Sequence, residues 1–224
     1  MIKNIFLDAG GVILDESIFE EKRAHTITNI IQGYNKNYSL ADYWSDVDEA
    51  VYRYVPHVYH YILSKNIPSV EDYNKAKERL YEMRSHDKHL ELMDGIKDFL
   101  SIFSEKFNIC ILGQYGKDFR DFLRECNILQ YFAYSEIQDD YTITKPDPRY
   151  FEAILKNCSC IAGESIMIGD RIDKDIIPAK AVGMKTIRHR TGLHKNQEPR
   201  TPEEIPDLTV ERLKDITIKT ISFF

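Results

Sequence analysis

Strand-like and helix-like patterns of apolar residues alternate along most of the chain. Four short apolar runs end in polar or glycine-containing turns: "IFLDAGG", "NICILGQYG", "FAYSEIQ" and "SIMIGDRIDKD". After the second run, Phe119, Phe122, Leu123 and Cys126 recur at the spacing of one helix face. A further strand-like run, "KTIRH", follows the fourth. This alternation predicts an α/β fold with a mostly parallel sheet covered by helices on both faces.

Residues 16–90 interrupt the alternation, because only helical patterns occur there. Ser17, Ser39 and Ser69 begin stretches with N-cap chemistry, and "SIFE" from Ser17 is a capping-box sequence. Pro56 is expected to kink or divide the middle helix. We therefore predict a helical domain at 16–90, inserted into a core domain built from residues 1–15 and 91–224.

Composition and charge exclude several classes of protein. The net charge of −6 comes from acidic and basic residues spread along the chain, so no basic patch indicates nucleic acid. No apolar run approaches the roughly 20 residues of a membrane span, and the N-terminus lacks a secretory signal pattern. We expect a soluble, cytoplasmic protein. The four cysteines lack C-x-x-C spacing, and we interpret them as core thiols, with "CSC" at Cys158 to Cys160 as a weak exposed pair.

Polar residues follow the predicted strands at the point where each strand ends. Asp8, Gly113 with Gln114, Lys145 and Asp170 all occupy such positions. Ligands of open parallel sheets bind beyond the carboxyl ends of the strands, so these stretches are expected to converge on one site.

The acids of this predicted site suit a hard cation. Asp8 and Asp170 each follow an apolar strand, and Asp175 comes five residues after Asp170. Carboxylates that meet at strand ends suit Mg²⁺, which binds one or two carboxylates together with water and substrate phosphate. Lys145 would add a positive charge for a phosphoryl group. Taken singly, Asp8 would be read as a turn residue and Lys145 as a solvated lysine.

Together, these motifs resemble those of the haloacid dehalogenase-like (HAD) hydrolase superfamily. "FLDAGGVILD" looks like the family's first motif, "ILGQYG" stands where its second lies, "TKPDPRYF" looks like its third and "IMIGDRIDKD" its fourth. The resemblance covers essentially the whole chain. It implies a three-layer Rossmann-like parallel sheet, with residues 16–90 as an α-helical cap.

The resemblance also implies a phosphatase chemistry for particular residues. Asp8 would be the nucleophile that forms an aspartyl-phosphate. Mg²⁺ would be bound by Asp8, the carbonyl of Gly10 and Asp170, with Asp175 in or beside the metal shell. Lys145 would pair with Asp8 and the phosphoryl group of a small phosphorylated substrate.

Two glycines depart from the family pattern. Gly10 stands where family phosphatases carry an acid that protonates the leaving oxygen, a role worth about 10²–10⁴ in rate. Gly113 replaces a Ser or Thr whose hydroxyl binds the phosphoryl oxygens, leaving backbone N–H and the side chains of Gln114 or Tyr115. Arg23, His25, Arg53, His57 and His60 in the insertion are open candidates for a substitute acid or base. The remaining polar residues are interpreted as loop, helix-start or surface groups: Asp139, Asp140, Asp173, His189 and His194.

Four functions stay open at this stage. A Mg²⁺-dependent phosphatase accounts for most of the motifs. A 2-haloacid dehalogenase also lacks the second acid, but Gly10 and the acids of "GDRIDKD" argue against it. A HAD-like protein with weak or no catalysis, which binds a ligand or a partner, fits the two glycines. A phospho-accepting receiver domain shares the acids and the lysine, but it is shorter and has no helical insertion.

Overall fold

The chain divides into two compact units in the computed structural model. One unit consists of 1–15 and 90–224, and the other of 16–89. The structure describes residues 1–84, 90–113, 115, 117–135 and 142–224. Among these residues, no helix is both long and apolar enough to cross a membrane.

The first unit is built on a parallel sheet. Its described strands are β1 (Asn4–Leu7), β2 (Leu14–Asp15), β3 (Glu91–Leu92), β4 (Asn108–Ile111), β5 (Phe132–Tyr134), β6 (Ser165–Gly169), β7 (Lys185–His189) and β8 (Leu208–Val210). Six of them pair in the order β5-β4-β1-β6-β7-β8, and every neighbouring pair is parallel. The remaining two, β2 and β3, form a short antiparallel ribbon. The predicted parallel sheet is therefore confirmed.

The second unit is helical. Its described helices are α1 (Ser17–Gln32), α2 (Leu40–Tyr52), α3 (Val58–Asn66) and α4 (Val70–Arg84). The predicted cap at Ser39 is confirmed, because Ser39 and Asp42 form a reciprocal capping box. The break at Pro56 is also confirmed, since it lies between α2 and α3. The capping box at Ser17 was a wrong prediction: Ser17 is already helical, and the Glu20 carboxylate accepts a hydrogen bond from Tyr59 instead.

Helices cover both faces of the sheet, as the alternation of apolar runs predicts. The described helices of this unit are α5 (Ile96–Phe103), α6 (Lys117–Glu125), α7 (Pro148–Asn157), α8 (Ile177–Ala181) and α9 (Ile218–Ser222). Successive side chains of β1 point to opposite faces. Ile5 and Leu7 join a cluster with Phe99 and Phe119, whereas Phe6 joins a second cluster with residues of α7. Both faces of the central strand are therefore buried.

Candidate active site

Three adjacent strands end at the same edge of the sheet and place Asp8 there. Leu7, the last residue of β1, is in register with Ile111 of β4 on one side and with Ile168 of β6 on the other. The N–H of Asp8 donates to the carbonyl of Ile168 at 3.0 Å, which continues the ladder by one residue. Asp8 therefore leaves the sheet between the segments that follow β4 and β6.

Lys145 joins two of the predicted acids. Its Nζ donates to Asp8 Oδ1 at 2.8 Å and to Asp175 Oδ1 at 2.6 Å. The lysine side chain is only 8% exposed and that of Asp175 only 1%. Burial alone would lower the pKa of Lys145, but the charges of Asp175 and Asp8 outweigh it and raise that pKa. The ammonium is therefore held in its charged form between the two carboxylates.

The three predicted aspartates form one cluster. Carboxylate oxygens of Asp8, Asp170 and Asp175 all lie within 4.8 Å of one another. Asp170 and Asp175 are buried, and Asp8 is partly buried. Burial raises the pKa of Asp175 to about 6, and the charge of Asp8 acts in the same direction while Lys145 opposes it. The cluster therefore concentrates negative charge that a cation would stabilise.

The chemistry of this donor set fits Mg²⁺. Hard divalent cations take carboxylate and carbonyl oxygens, and Mg²⁺ is held by few carboxylates together with water. The carboxylates of Asp8, Asp170 and Asp175 offer such oxygens, while Lys145 neutralises only part of their charge. Gly10, the predicted carbonyl ligand, lies in the turn after Asp8 and forms an isolated bridge with Leu14.

Two glycines allow the backbone to pack directly against these acids. Gly11 has a φ of +68°, and a Cβ there would lie 2.9 Å from the Cβ of Asp170. Gly169, the last residue of β6, faces Asp175, and a Cβ there would overlap the Asp175 side chain. A larger residue at either position would displace an acid of the cluster. The acids are therefore positioned partly by residues without side chains.

Gly113 makes a similar contact with Asp8. A Cβ on Gly113 would lie 2.9 Å from Asp8 Oδ1 and 3.1 Å from the backbone nitrogen of Ala9. Its carbonyl accepts a hydrogen bond of 3.4 Å from the hydroxyl of Tyr150. Gln114, the predicted neighbour in substrate binding, lies outside the described residues. Tyr115 packs its ring against Phe119, with the ring centroids 4.8 Å apart.

A buried polar network supports the turn that carries Asp175. One turn of π-helix, Ile172–Ile176, follows Arg171, whose N–H donates to Asp175 Oδ2 at 3.0 Å. The Arg171 guanidinium forms two hydrogen bonds with Asp173. Fully buried Gln197 donates to Asp173 and accepts from the N–H of Ile172. Asp173 is therefore part of this network as well as a residue of the helical turn.

Two histidines interpreted as surface groups are buried, so that prediction was wrong. His189 is 2% exposed, and its Nδ1 lies 2.7 Å from the carbonyl of Gly11. His194 is 7% exposed, and its carbonyl accepts a hydrogen bond from the guanidinium of Arg188. The sequence did contain a signal for His189, because it ends a strand of a sheet that is covered on both faces. His194 lies in a loop and gave no such signal.

Three of the candidate acid or base residues of the helical unit, Arg53, His60 and Arg23, have partners within that unit. Arg53 is exposed and donates to Glu49 and to Tyr61. His60 lies 3.0 Å from the hydroxyl of Tyr81. Arg23 is buried, with Phe19 and Tyr59 stacked near its guanidinium and Glu20 as an ion-pair partner. His25 and His57 are exposed.

A parallel sheet whose strand ends carry an aspartate cluster and a buried lysine defines a Rossmann-like α/β protein with an anion- and metal-competent site. Comparison with known families then identifies the class. The profile of haloacid dehalogenase-like hydrolases matches residues 14–189. The chain belongs to this family, as the motif resemblance predicts.

Relatives cover nearly the whole chain. It is 24% identical over 226 residues to the glyceraldehyde 3-phosphate phosphatase of Methanopyrus kandleri, covering 96% of both chains. It is 29% identical over 201 residues to the protein of the same name from Pyrococcus abyssi, covering 86% of this chain and 83% of the relative. Among solved structures, the HAD hydrolase YfnB of Bacillus subtilis, solved with magnesium bound, superposes with a TM-score of 0.65 at 17% identity. That match covers 96% of both chains and supports the fold.

Proposed function

We propose that the protein is a Mg²⁺-dependent phosphatase of a small phosphorylated metabolite, acting through an aspartyl-phosphate on Asp8. The ion-paired arrangement of Asp8 and Lys145 at the strand ends carries this proposal. It presents a partly exposed carboxylate beside a buried ammonium, which suits an anionic nucleophile approaching an anionic phosphoryl group. The relatives named as glyceraldehyde 3-phosphate phosphatases support the phosphatase chemistry.

In the first proposed step, an oxygen of Asp8 attacks phosphorus while the bond from phosphorus to the substrate oxygen breaks. The products are an acyl phosphate on Asp8 and the dephosphorylated alcohol, whose oxygen takes up a proton. In the second step, water attacks phosphorus and the bond from phosphorus to the Asp8 oxygen breaks, which releases inorganic phosphate and a proton and regenerates the Asp8 carboxylate. Lys145, 2.8 Å from Asp8 Oδ1, would stabilise the charge on the transferring phosphoryl oxygens.

The metal would be held by Asp8, Asp170 and the carbonyl of Gly10, with Asp175 in or beside its shell. When bound, it would neutralise the charge on Asp8 and the phosphoryl group. Asp175 would also orient Lys145, to which it is hydrogen-bonded at 2.6 Å. The backbone at Gly113 and the side chain of Gln114 are the proposed ligands of the phosphoryl oxygens.

The proposed substrate class is a sugar phosphate of about three carbons. The names of the relatives support glyceraldehyde 3-phosphate as the first compound to test. We propose that residues 16–90 form the cap that selects the substrate and excludes water during turnover.

A HAD-like protein with weak catalysis is the second candidate, and Gly10 and Gly113 favour it. Gly10 has no side chain that could donate a proton. Gly113 has no hydroxyl, and a Cβ added to it would contact Asp8. Both features are compatible with a protein that binds a phosphorylated ligand and turns it over slowly.

An assay of phosphate release separates these functions. The purified protein would be given glyceraldehyde 3-phosphate, other sugar phosphates, nucleotides and an aryl phosphate, with Mg²⁺ or with chelator. We expect turnover that requires Mg²⁺ and disappears in Asp8→Asn, whereas Asp98→Asn, an exposed acid on α5, should keep wild-type activity. Phosphate release no greater than in Asp8→Asn would contradict the phosphatase. Halide release from a 2-haloacid without metal would support a dehalogenase instead.

A further inference from the structure

Three of the four cysteines form a cluster that the predicted active site does not use. The Sγ atoms of Cys110, Cys158 and Cys160 all lie within 4.8 Å of one another. Cys110 is 1% exposed, and the other two are partly buried. Cys126 follows α6 and is not a member of the cluster. The cluster shares no residue with the aspartates and Lys145.

The fold creates this cluster by bringing α7 over β4. Cys110 lies in β4 and packs on the face of the sheet that α7 covers, together with Phe6 and Phe151. Helix α7 ends immediately before Cys158. Ser159 then adopts a left-handed conformation with a φ of 54°, and the chain turns back so that the N–H of Cys160 donates to the carbonyl of Leu155. This turn places Cys158 and Cys160 together above Cys110.

The three sulfurs are close enough to reach one metal ion after a small movement. A metal–sulfur bond is about 2.3 Å long, so three sulfurs around one ion lie about 4.0 Å apart in a planar arrangement. The observed limit of 4.8 Å requires a contraction of less than about 1 Å to reach that geometry. We propose that Cys110, Cys158 and Cys160 form a three-coordinate site for a soft, thiophilic cation, with Cu(I) as its preferred ion.

The donor set is the reason for preferring Cu(I). Among the described residues, no His, Asp or Glu joins the three sulfurs in this cluster. Zn²⁺ in structural sites almost always takes four ligands in a tetrahedron, whereas thiolates also select Cu(I). The surroundings are apolar, including Tyr150, Phe151 and Met184, which limits access of water to a bound ion. Three thiolates with no carboxylate or imidazole beside them among the described residues therefore favour a soft ion that accepts three sulfur ligands.

Ion binding at this site must displace protons. A hydrogen bond to Cys158 and burial both raise the pKa of Cys110, and burial together with the nearby Cys158 raises the pKa of Cys160 to about 11. Cys110 and Cys160 are therefore protonated in the metal-free protein at neutral pH.

Anaerobic titration with Cu(I) against a chromophoric Cu(I) chelator tests the proposal. We expect the wild-type chain to bind one Cu(I), seen as a thiolate-to-metal charge-transfer band and as one added ion by native mass spectrometry. Cys160→Ser and Cys110→Ser should each weaken binding by more than about 100-fold, the upper end of the loss for an outer-shell change. Cys126→Ser, which removes a cysteine outside the cluster, should bind like the wild type.

Cys160 is only partly buried, so its variant should fold even where Cys110→Ser does not, and circular dichroism checks this. Equal affinity of the wild type and Cys160→Ser would overturn the proposal, as would the absence of any bound Cu(I). Tighter binding of Zn²⁺ than of Cu(I) would overturn the three-coordinate assignment. None of these readouts depends on phosphatase activity, so failure here leaves the proposed function untouched.

Discussion

Gly113 lies so close to Asp8 that a Cβ added to it would meet Asp8 Oδ1 at 2.9 Å. Asp8 Oδ1 is also the atom that accepts the hydrogen bond of Lys145. Where the family pattern has a hydroxyl, Gly113 therefore offers only its backbone, and the proposed nucleophile Asp8 packs directly against it.

We predict that restoring the hydroxyl with Gly113→Ser lowers activity. The new Cβ would push Asp8 Oδ1 away from Lys145, and a misplacement of about 1 Å can cost about 100-fold in rate. We expect kcat/KM to fall by about 10- to 100-fold in Gly113→Ala and Gly113→Ser alike. Gly163→Ser is the matched control, because a Cβ there meets nothing within 4 Å. A rate increase in Gly113→Ser would show that the hydroxyl outweighs the displacement.

Gly10 gives a prediction in the opposite direction. If the missing acid limits turnover, Gly10→Asp should raise kcat by about 100-fold or more when the leaving group is a poor one. Asn is similar in size to Asp but cannot transfer a proton, so Gly10→Asn should give no increase in kcat. Initial rates with an alkyl phosphate and with an aryl phosphate would be compared, because a good leaving group needs less protonation. An unchanged or lower rate in Gly10→Asp would mean that another group transfers the proton.

The aspartate cluster predicts that Mg²⁺ stabilises the folded protein. A ligand at 100 times its Kd stabilises by about 2.7 kcal/mol, and for a chain of this size that raises Tm by about 5–10 °C. Thermal unfolding with Mg²⁺ and with chelator measures the difference. We expect Asp170→Asn to abolish most of the increase and the exposed variant Asp98→Asn to keep it. An equal Mg²⁺ effect in Asp170→Asn would place the metal elsewhere.

His194 predicts a loss of stability in acid. Burial lowers the pKa of His194 to about 3, and the positive charge of Arg171 adds to the effect. The folded state therefore keeps this imidazole neutral, while the unfolded chain takes up a proton below a pH of about 6.5. The contribution of the neutral histidine to the free energy of unfolding is present above that pH and is lost as the pH falls toward 3. At pH 5 the loss amounts to about 2 kcal/mol.

Urea unfolding of the wild type and of His194→Gln at pH 7.5 and pH 5 checks this prediction. The variant has no titrating imidazole at this position. The difference in free energy of unfolding between wild type and variant should therefore be smaller at pH 5 than at pH 7.5, by about 2 kcal/mol. His25→Gln, an exposed histidine of α1, is the control. A difference between variant and wild type that does not change with pH would contradict the assignment.

Local patterns were sufficient to predict most of the sheet. The apolar runs of β1, β4, β6 and β7 are strands because they are short, rich in Ile and bounded by turn residues. The two-residue ribbon of β2 and β3 was not predicted, since two residues cannot show a period. Glu20 was assigned to a capping box, but its partner Tyr59 lies 39 residues away. Sequence patterns therefore predicted elements better than the contacts between them.

In the candidate site too, positions at strand ends were predictable and long-range contacts were not. Asp8, Lys145, Asp170 and Asp175 could be nominated because parallel strand ends share one edge. The network around Asp173 and Gln197 could not, since it depends on a loop that returns from 24 residues away. The cysteines were interpreted as core thiols, with Cys158 and Cys160 as a weak exposed pair, because no local pattern relates Cys110 to Cys158; both members of that pair are partly buried.

The position of β1 in the sheet has a consequence for how the chain folds as it is synthesised. This strand is made first, yet it lies between β4 and β6, and β6 is complete only at residue 169. At about 5–20 residues per second, β1 waits about 8–30 seconds for its second neighbour. The helical segment 16–89 is contiguous and can fold during this delay, whereas "NIFL" can pair with β4 first and keeps its other edge unpaired until β6 emerges.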